Sequence, residues 1–384
     1  MKILIVGFGH VGAELLNLAL KSPLTNGHQY FVGTRNPGKH KERFNLVNLS
    51  SMAAMSDLRE PPSATLFKLD LDEREESILS LHRLMPDIVI NTASRQAWWF
   101  PTLLPRHAAE LLASNPVGPS LPNHLVPAMQ LQQALRLSGA RERAFTINAA
   151  YPDAVNPVLA KIGLSYEIGA GNIANPMNAI RAAAALESGR ATRDIVIRAY
   201  GHHSFSYRVT RQGNPAPAPF HIEFEDTEGS NLKLDPLAVF RHLPTTLKRT
   251  SGLPGTLMTA ASLWTTLRAV LEDHRMPFFA PGPNGLEGGY TVRLVNRLVE
   301  VVAPRHTTLD HVAWINRQGA ILDGIDDIAD DGTVVFAPGP MAVEAQALGY
   351  ECERMSPLEA AARSDEWMLR FRQCCQRHQT AQVA

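Results

Sequence analysis

Three glycines, Gly7, Gly9 and Gly12, stand at the spacing Gly-x-Gly-x-x-Gly directly behind an apolar run, Ile3–Val6. That spacing suits a turn that cradles a diphosphate. The first glycine permits the tight turn. The second lets the backbone approach the phosphates with no Cβ in the way, and the third lets a following helix pack closely on the strand. A helix opening at His10 and Val11 adds unpaired amides and the positive end of its dipole. Behind the next apolar run come Thr34, Arg35 and Asn36. An acidic residue there would take a ribose 2′-hydroxyl. Arg35 instead suits a 2′-phosphate, with Thr34 and Asn36 as supporting donors. Lys39 and Lys41 add positive charge nearby. The expected ligand is NADP, with NAD as the alternative.

Further residues suit the rest of such a ligand and a reaction beside it. Asp70 and Asp72 follow the third apolar run, where Asp70 would lie near the adenine. Thr92, Ala93 and Ser94 are small enough to let a cofactor cross the edge of a sheet, and Trp98 and Trp99 follow in a loop facing its nicotinamide end. Hydride chemistry also needs a proton carrier and groups that orient the substrate. Tyr151 and Asp153 are candidates for the proton, although Asp153 could equally cap a helix. His202 and His203 are candidates as acid, base or anion holder. Read at the start of a strand, adjacent histidines point to opposite faces, so at most one would face a cleft. Arg293 follows the glycine-rich stretch Gly282–Gly289. It is the candidate for gripping a carboxylate under a closing loop. Lys161 reads better as an exposed helix lysine.

The elements that must hold these residues alternate in the first half of the chain. Strands are expected at Lys2–Val6, Tyr30–Gly33, Thr65–Leu69, Asp87–Asn91 and Ala144–Asn148, with helices at Val11–Lys21, Glu73–Leu84 and Val126–Ser138. Ser56–Ala64 and Ser114–Pro122 read as loops. Such alternation predicts a parallel sheet with helices on both faces. In the second half, strands are expected at Asp194–Tyr200, Ser204–Thr210, Phe220–Glu225 and Tyr290–Val302, and helices at Asn178–Leu186 and Leu257–Glu272. Thr307 or Thr308 would cap a helix running to Gln318, and Ser356-Pro357 would open another reaching about Gln376. The fold class is thus α/β, an N-terminal doubly wound parallel sheet of the Rossmann type with a second α+β domain. The expected boundaries are 1–150 for dinucleotide binding, 151–305 for substrate and catalysis, and 306–384 for a C-terminal helical segment that could pack back on the first domain.

Ile147-Asn148-Ala149-Ala150-Tyr151-Pro152-Asp153, followed by Asn156-Pro157-Val158-Leu159-Ala160, is a strand ending in small residues, then a Pro-containing turn, then a helix bearing Asn. It resembles the crossing point between domains in the saccharopine dehydrogenase-like superfamily. The resemblance covers about the first 165 residues. The family's turn has a Pro-Gly pair where this chain has Pro152-Asp153. The resemblance implies a cofactor cleft between two domains and hydride transfer that commonly reduces an imine or oxidises an amine.

Composition narrows the classes. Of 384 residues 45% are hydrophobic and 19% charged, which supplies ample core. Lys+Arg and Asp+Glu both number 37, so no global field recruits nucleic acid or an anionic membrane. Cys352, Cys374 and Cys375 form no Cys-x-x-Cys pair and no zinc spacing, so no metal site is expected. No apolar run approaches the ~20 residues of a membrane span, and the first one is too short for a signal-peptide core. The reading is a reduced, cytoplasmic NADP-dependent oxidoreductase acting on a C=N or C=O bond of a small, carboxylate-bearing metabolite, compatible with a homodimer. A short-chain-type Tyr-x-x-x-Lys pair is missing near 140–165. The rival is a regulatory protein that binds NADP(H) without turnover.

Overall fold

Ile3, Leu4, Ile5 and Val6 are all buried, and so are Ile88, Val89 and Ile90. Apolar runs without alternation belong to strands covered on both faces. The computed structural model, which describes all residues except Asn26, residues 56–62, Trp98, Ser251, His274 and Ala384, shows this arrangement. Trp98 and most of the loop expected over Ser56–Ala64 thus lie outside the described residues; Ser63 and Ala64 open a strand.

The first half contains β1 (Lys2–Val6), α1 (His10–Leu20), β2 (Gln29–Thr34), α2 (Pro37–Ala54), β3 (Ser63–Lys68), α3 (Arg74–Leu84), β4 (Ile88–Asn91), α4 (Arg106–Leu112), α5 (Pro122–Leu137), β5 (Phe145–Asn148), α6 (Pro152–Lys161) and β6 (Ile168–Gly169). The six strands form one parallel sheet in the order 3-2-1-4-5-6. That is the doubly wound Rossmann arrangement, whose order reverses between β1 and β4. Alternate residues of β1 serve opposite faces. Ile3 and Ile5 pack with Leu15 and Leu16 of α1, whereas Leu4 and Val6 pack with Leu81 of α3 and Leu131 and Leu135 of α5.

The second half contains α7 (Ala174–Ser188), β7 (Val196–Tyr200), α8 (His203–Gln212), β8 (His221–Glu225), α9 (Pro236–Arg241), α10 (Thr256–Glu272), β9 (Phe278–Pro281), β10 (Gly289–Val295), β11 (Leu298–Val301), α11 (Leu309–Leu322), β12 (Ile325–Ile328), β13 (Val334–Phe336), α12 (Pro338–Leu348), β14 (Arg354–Met355) and α13 (Ala360–Val383). Among the described residues three small antiparallel sheets result, β7-β8, β9-β10-β11 and β12-β13-β14. The α10 helix lies against α1, and its Leu263 and Leu267 share a core with Ile3, Ile5 and Leu15. The halves are therefore welded through one apolar cluster. At the far end α13 packs on α5, and Trp367 meets Phe100 edge to face. The segment after 306 is not purely helical, since it carries the sheet β12-β13-β14.

Two expected strands differ. The segment expected as a strand over Ser204–Thr210 is the helix α8. Phe205 and Val209, four apart, give it a buried face, and Gly213 at φ 66 ends it in the left-handed conformation. The run Tyr290–Val302 is a hairpin, β10 and β11, turning through Asn296 and Arg297 at φ 52 and 63. Without a glycine at the turn, the two strands read as one.

Candidate functional site

The glycine-rich turn has the shape its spacing predicts. Gly7 has φ +92, and a Cβ there would stand 3.0 Å from the backbone of Ala93. A Cβ on Gly12 would meet the Gly7 carbonyl oxygen at 2.3 Å. These two glycines are demanded by the protein's own packing. Gly9 is not, for a Cβ there meets nothing within 4 Å. It sits at the mouth of α1, where the amides of His10, Val11 and Gly12 belong to a first turn that offers them no intrahelical acceptor. The open side of Gly9 and these amides fit a dinucleotide diphosphate. Thr92 donates its hydroxyl to the carbonyls of Val6 and Gly7, both at 3.0 Å, and so ties β4 to the turn. The Ala93 amide donates to the Asn91 side chain, and Ser94 is exposed at the rim.

Beyond β2, Thr34 is buried and Arg35 exposed. Asn36 caps α2 by accepting from the Lys39 amide, so its oxygen serves the helix rather than a ligand. Asp70 likewise shapes its own turn, accepting from the Asp72 amide. Asp72 is the more connected acid. The Gln130 amide and the guanidinium of Arg95 bond to it and, with Arg35 in electrostatic reach, keep its carboxyl below the usual range despite partial burial. The sequence reading missed α2, since only its Val47 and Ser51 are buried. That helix brings Arg43 to 3.3 Å from His10 Nδ1 at the mouth of α1. Burial and then Arg43 lower the His10 pKa.

At the other end of the crevice the carboxyl ends of β4 and β5 carry a ladder of buried asparagines. Asn91 donates to Asn148 at 3.0 Å, Asn148 to Asn156 at 2.9 Å, and Asn156 to the Gly282 carbonyl at 2.9 Å. The chain leaves β5 through Tyr151, which is held at φ 46, a left-handed conformation unusual for a bulky residue. That turn points the Tyr151 hydroxyl at Asp323 Oδ2, 3.4 Å away. The same oxygen lies 2.9 Å from His203 Nδ1 and 3.0 Å from His202 Nδ1, the latter off the line of a hydrogen bond. Asp153 is not the cap of α6; its Oδ2 accepts from Asn172, and its Oδ1 has no partner among the described residues. His124 stands beside Tyr151, ring centres 6.2 Å apart. Tyr151, Asp153, His202 and His203, separated by up to 52 positions in the chain, are thus brought together around Asp323.

The helical start at His203 explains how both histidines reach one carboxylate. On a strand they would diverge; here His202 is the cap and His203 the first helical residue. Gly319 of α11 lets the helices approach, for a Cβ there would stand 2.3 Å from His202 Cβ. Asp323 ends α11 facing them. Burial disfavours charge on each group, but the pairing outweighs it. Both histidines are raised, chiefly by Asp323, and Asp323 is held far below the usual carboxylate range by the histidines. Burial pushes the Asp153 carboxyl up and the Tyr151 hydroxyl well up. His124 is pulled down to about 4, first by burial and then by His203. Of these groups His203 is the one partly open to solvent, with 26% of its side chain exposed.

Other expected residues lie elsewhere. Arg293 is half-exposed on β10 and paired across the hairpin with Glu300 at 2.8 Å. The glycine stretch before it is not a free loop: a Cβ on Gly282, Gly285 or Gly288 would strike Pro152, Ala160 or Asn316, so the stretch is docked against α6 and α11. Lys161 pairs with Asp330 at the surface. Asp323 and His124 were missed, having no local motif and reaching the site only through long-range packing.

No family model matches the chain, and no curated protein matches it by sequence. Solved structures do resemble it. A lactate dehydrogenase from a Medee basin deep-sea metagenome library superposes with a TM-score of 0.54 at 11% identity, over 84% of this chain and 96% of that one. A malate dehydrogenase from Aeropyrum pernix gives 0.51 at 16%, over 83% and 95%. The minor L-lactate dehydrogenase from Enterococcus mundtii, in a ligand-bound form, gives 0.51 at 13%, over 84% and 96%. At such identities the likeness shows the fold, a Rossmann sheet with a second α/β half. It does not single out the saccharopine dehydrogenase-like superfamily.

Proposed function

We propose that this chain is an NADP-dependent oxidoreductase acting on a C=O/C–OH or C=N/C–N bond of a small, carboxylate-bearing metabolite. The carrying observation is the Asp323–His203 pair, with His202, Tyr151 and Asp153 around it, just beyond the carboxyl ends of β4 and β5. In a doubly wound sheet the nicotinamide half of a dinucleotide lies at that edge. The dinucleotide, when bound, supplies or accepts the hydride. The chain supplies the proton. Asp323 holds His203 through Nδ1, which leaves Nε2 to exchange a proton with the substrate heteroatom. Asp323 is a positioning residue; it fixes the tautomer and favours the imidazolium. Tyr151 and Asp153 wall the same space. The likeness to lactate and malate dehydrogenases favours hydroxy-acid or oxo-acid chemistry, and the resemblance at Ile147–Asp153 and Asn156–Ala160 keeps the imine alternative. Arg35 supports the choice of NADP, with NAD as the lesser ligand.

The test is dinucleotide consumption over a panel of small 2-oxo acids, with and without ammonia, and the matching hydroxy acids. His203→Gln should lower kcat at least ~100-fold, the scale of a general acid–base contribution, while leaving NADPH affinity within about twofold. Asp323→Asn should shift the alkaline limb of the reductive profile to lower pH, because a raised His203 pKa keeps its proton above the ordinary 6.5 only while Asp323 is charged. Wild-type turnover in His203→Gln would overturn the assignment. Tight NADPH binding without consumption on any compound would favour the regulatory rival.

A further inference from the structure

Helix α8 carries more than His203. Tyr207 and Arg211 follow at spacings of four and eight, so all three share one face. Their geometry is continuous. The rings of His203 and Tyr207 are 6.2 Å apart, and the Arg211 guanidinium lies 4.2 Å from the Tyr207 ring centre, with an Nη1 bond of 3.0 Å to its hydroxyl. A second arginine approaches from the loop before α10. Arg249, half-buried, donates through Nη1 to the Asn175 carbonyl at 3.4 Å. Asn175 opens α7 and donates its backbone amide to the Asn172 carbonyl at 3.0 Å, while the Asn172 side chain donates to Asp153. Arg249 is thus linked to the site from one side and Arg211 from the other.

Neither arginine has a carboxylate at ion-pair distance among the described residues, whereas Arg95, Arg141, Arg198, Arg305 and Arg317 all do. Burial, and then the like charge of Arg211, lower the Arg249 pKa. Arg211 is thus near enough for its charge to act on Arg249, and α8 places it on the face that also carries His203 and Tyr207. Half-burying an unpaired cation costs stability unless an anion compensates it.

We infer that Arg249 and Arg211 form the oxyanion-binding end of the substrate pocket, gripping a carboxylate or phosphate several bonds away from the carbon that reacts beside His203. The inference rests on the oxidoreductase reading and names the substrate class: a molecule with a reducible centre at one end and an oxyanion at the other. The Tyr207 ring forms the wall between them. The separation follows from the helix, since eight residues of rise put the two ends of this face roughly 12 Å apart at the backbone. The anion holder is then not Arg293, which is spent on Glu300.

Calorimetry on protein saturated with NADPH tests this, because the bound dinucleotide blocks its own phosphate sites. Glutarate and inorganic phosphate are the probes, and acetamide is the neutral control. One of the two anions should bind and acetamide should not; which anion binds distinguishes the carboxylate from the phosphate source. Arg211→Met and Arg249→Met should each weaken that anion at least fivefold, with Arg249→Lys intermediate and NADPH affinity unchanged in all three. Arg211 is exposed, so its variant keeps the test decisive even if Arg249→Met unfolds. NADPH binding with no anion binding, or anion affinity unchanged in Arg211→Met, would overturn the inference alone. Failure to bind any nicotinamide dinucleotide would overturn the oxidoreductase reading instead.

Discussion

The proposed preference for NADP rests on single residues. Arg35 is exposed beyond β2, where no acid competes for a ribose hydroxyl, and Asp72 is already engaged by Gln130 and Arg95. A charged hydrogen bond is worth roughly 1.5–3 kcal/mol, and exposure places Arg35 at the lower end of that range. Arg35→Ala should therefore weaken NADPH about tenfold and leave NADH unchanged, as read by fluorescence titration. A wild-type preference for NADH would contradict the role given to Arg35. Residues with local signatures were legible at this scale. The turn at Gly7, Gly9 and Gly12 is marked by its spacing, and Tyr151 and Asp153 are marked as candidates by their place after β5. Asp323 carries no local mark, because it meets the two histidines only once α11 packs on α8 and sets it against residues 120 and 121 positions earlier.

Elements account for most of what the sequence obscured. Tyr207 and Val209 favour strands by propensity, yet the i, i+4 pair Phe205 and Val209 found a helical core, and tertiary packing prevailed over propensity. That change reassigns the histidines, since only a helix start lets both face Asp323. α2 escaped notice for the opposite reason: Leu46, Leu49 and Met52 are exposed, while only Phe44 and Val47 turn apolar side chains to the core, so the apolar residues mark no single face. In the C-terminal segment, α12, α13 and the residue Asn115 meet at buried Glu344. It accepts from Trp367 Nε1 at 2.6 Å and from Asn115 at 3.0 Å, and burial lifts its carboxyl from 4.5 to about 7. The folded state therefore binds more protons than the unfolded chain between those two values, and stability falls as pH rises through that window. Each unit is worth about 1.4 kcal/mol, on the order of 3 kcal/mol across it, less about 1 kcal/mol for hydrogen bonds that an amide makes poorly. Glu344→Gln should accordingly raise the melting temperature at pH 8 and bring no gain near pH 4.5. Equal effects at both pH values would mean that the carboxyl is not held protonated by the fold.

At the scale of the whole molecule, the parallel sheet was legible because strand–helix alternation with fully apolar strands admits few other architectures. The join between halves was not. The sequence suggests a boundary near 150, yet α10 returns more than 100 residues later to complete the core over α1. This return fixes the two halves against each other, with the Tyr151 turn after β5 meeting α8 and the end of α11. The proposed function requires that the nicotinamide of a bound dinucleotide lie beside His203. A crystal structure of the NADPH complex tests it most directly. The diphosphate is expected over Gly9 and the nicotinamide ring against the Asn148–Tyr151 turn, with His203 Nε2 facing the space where a substrate would sit. A nicotinamide more than about 10 Å from His203, Tyr151 and Asp153 alike would contradict the claim, because neither a direct proton transfer nor one bridging water spans that distance.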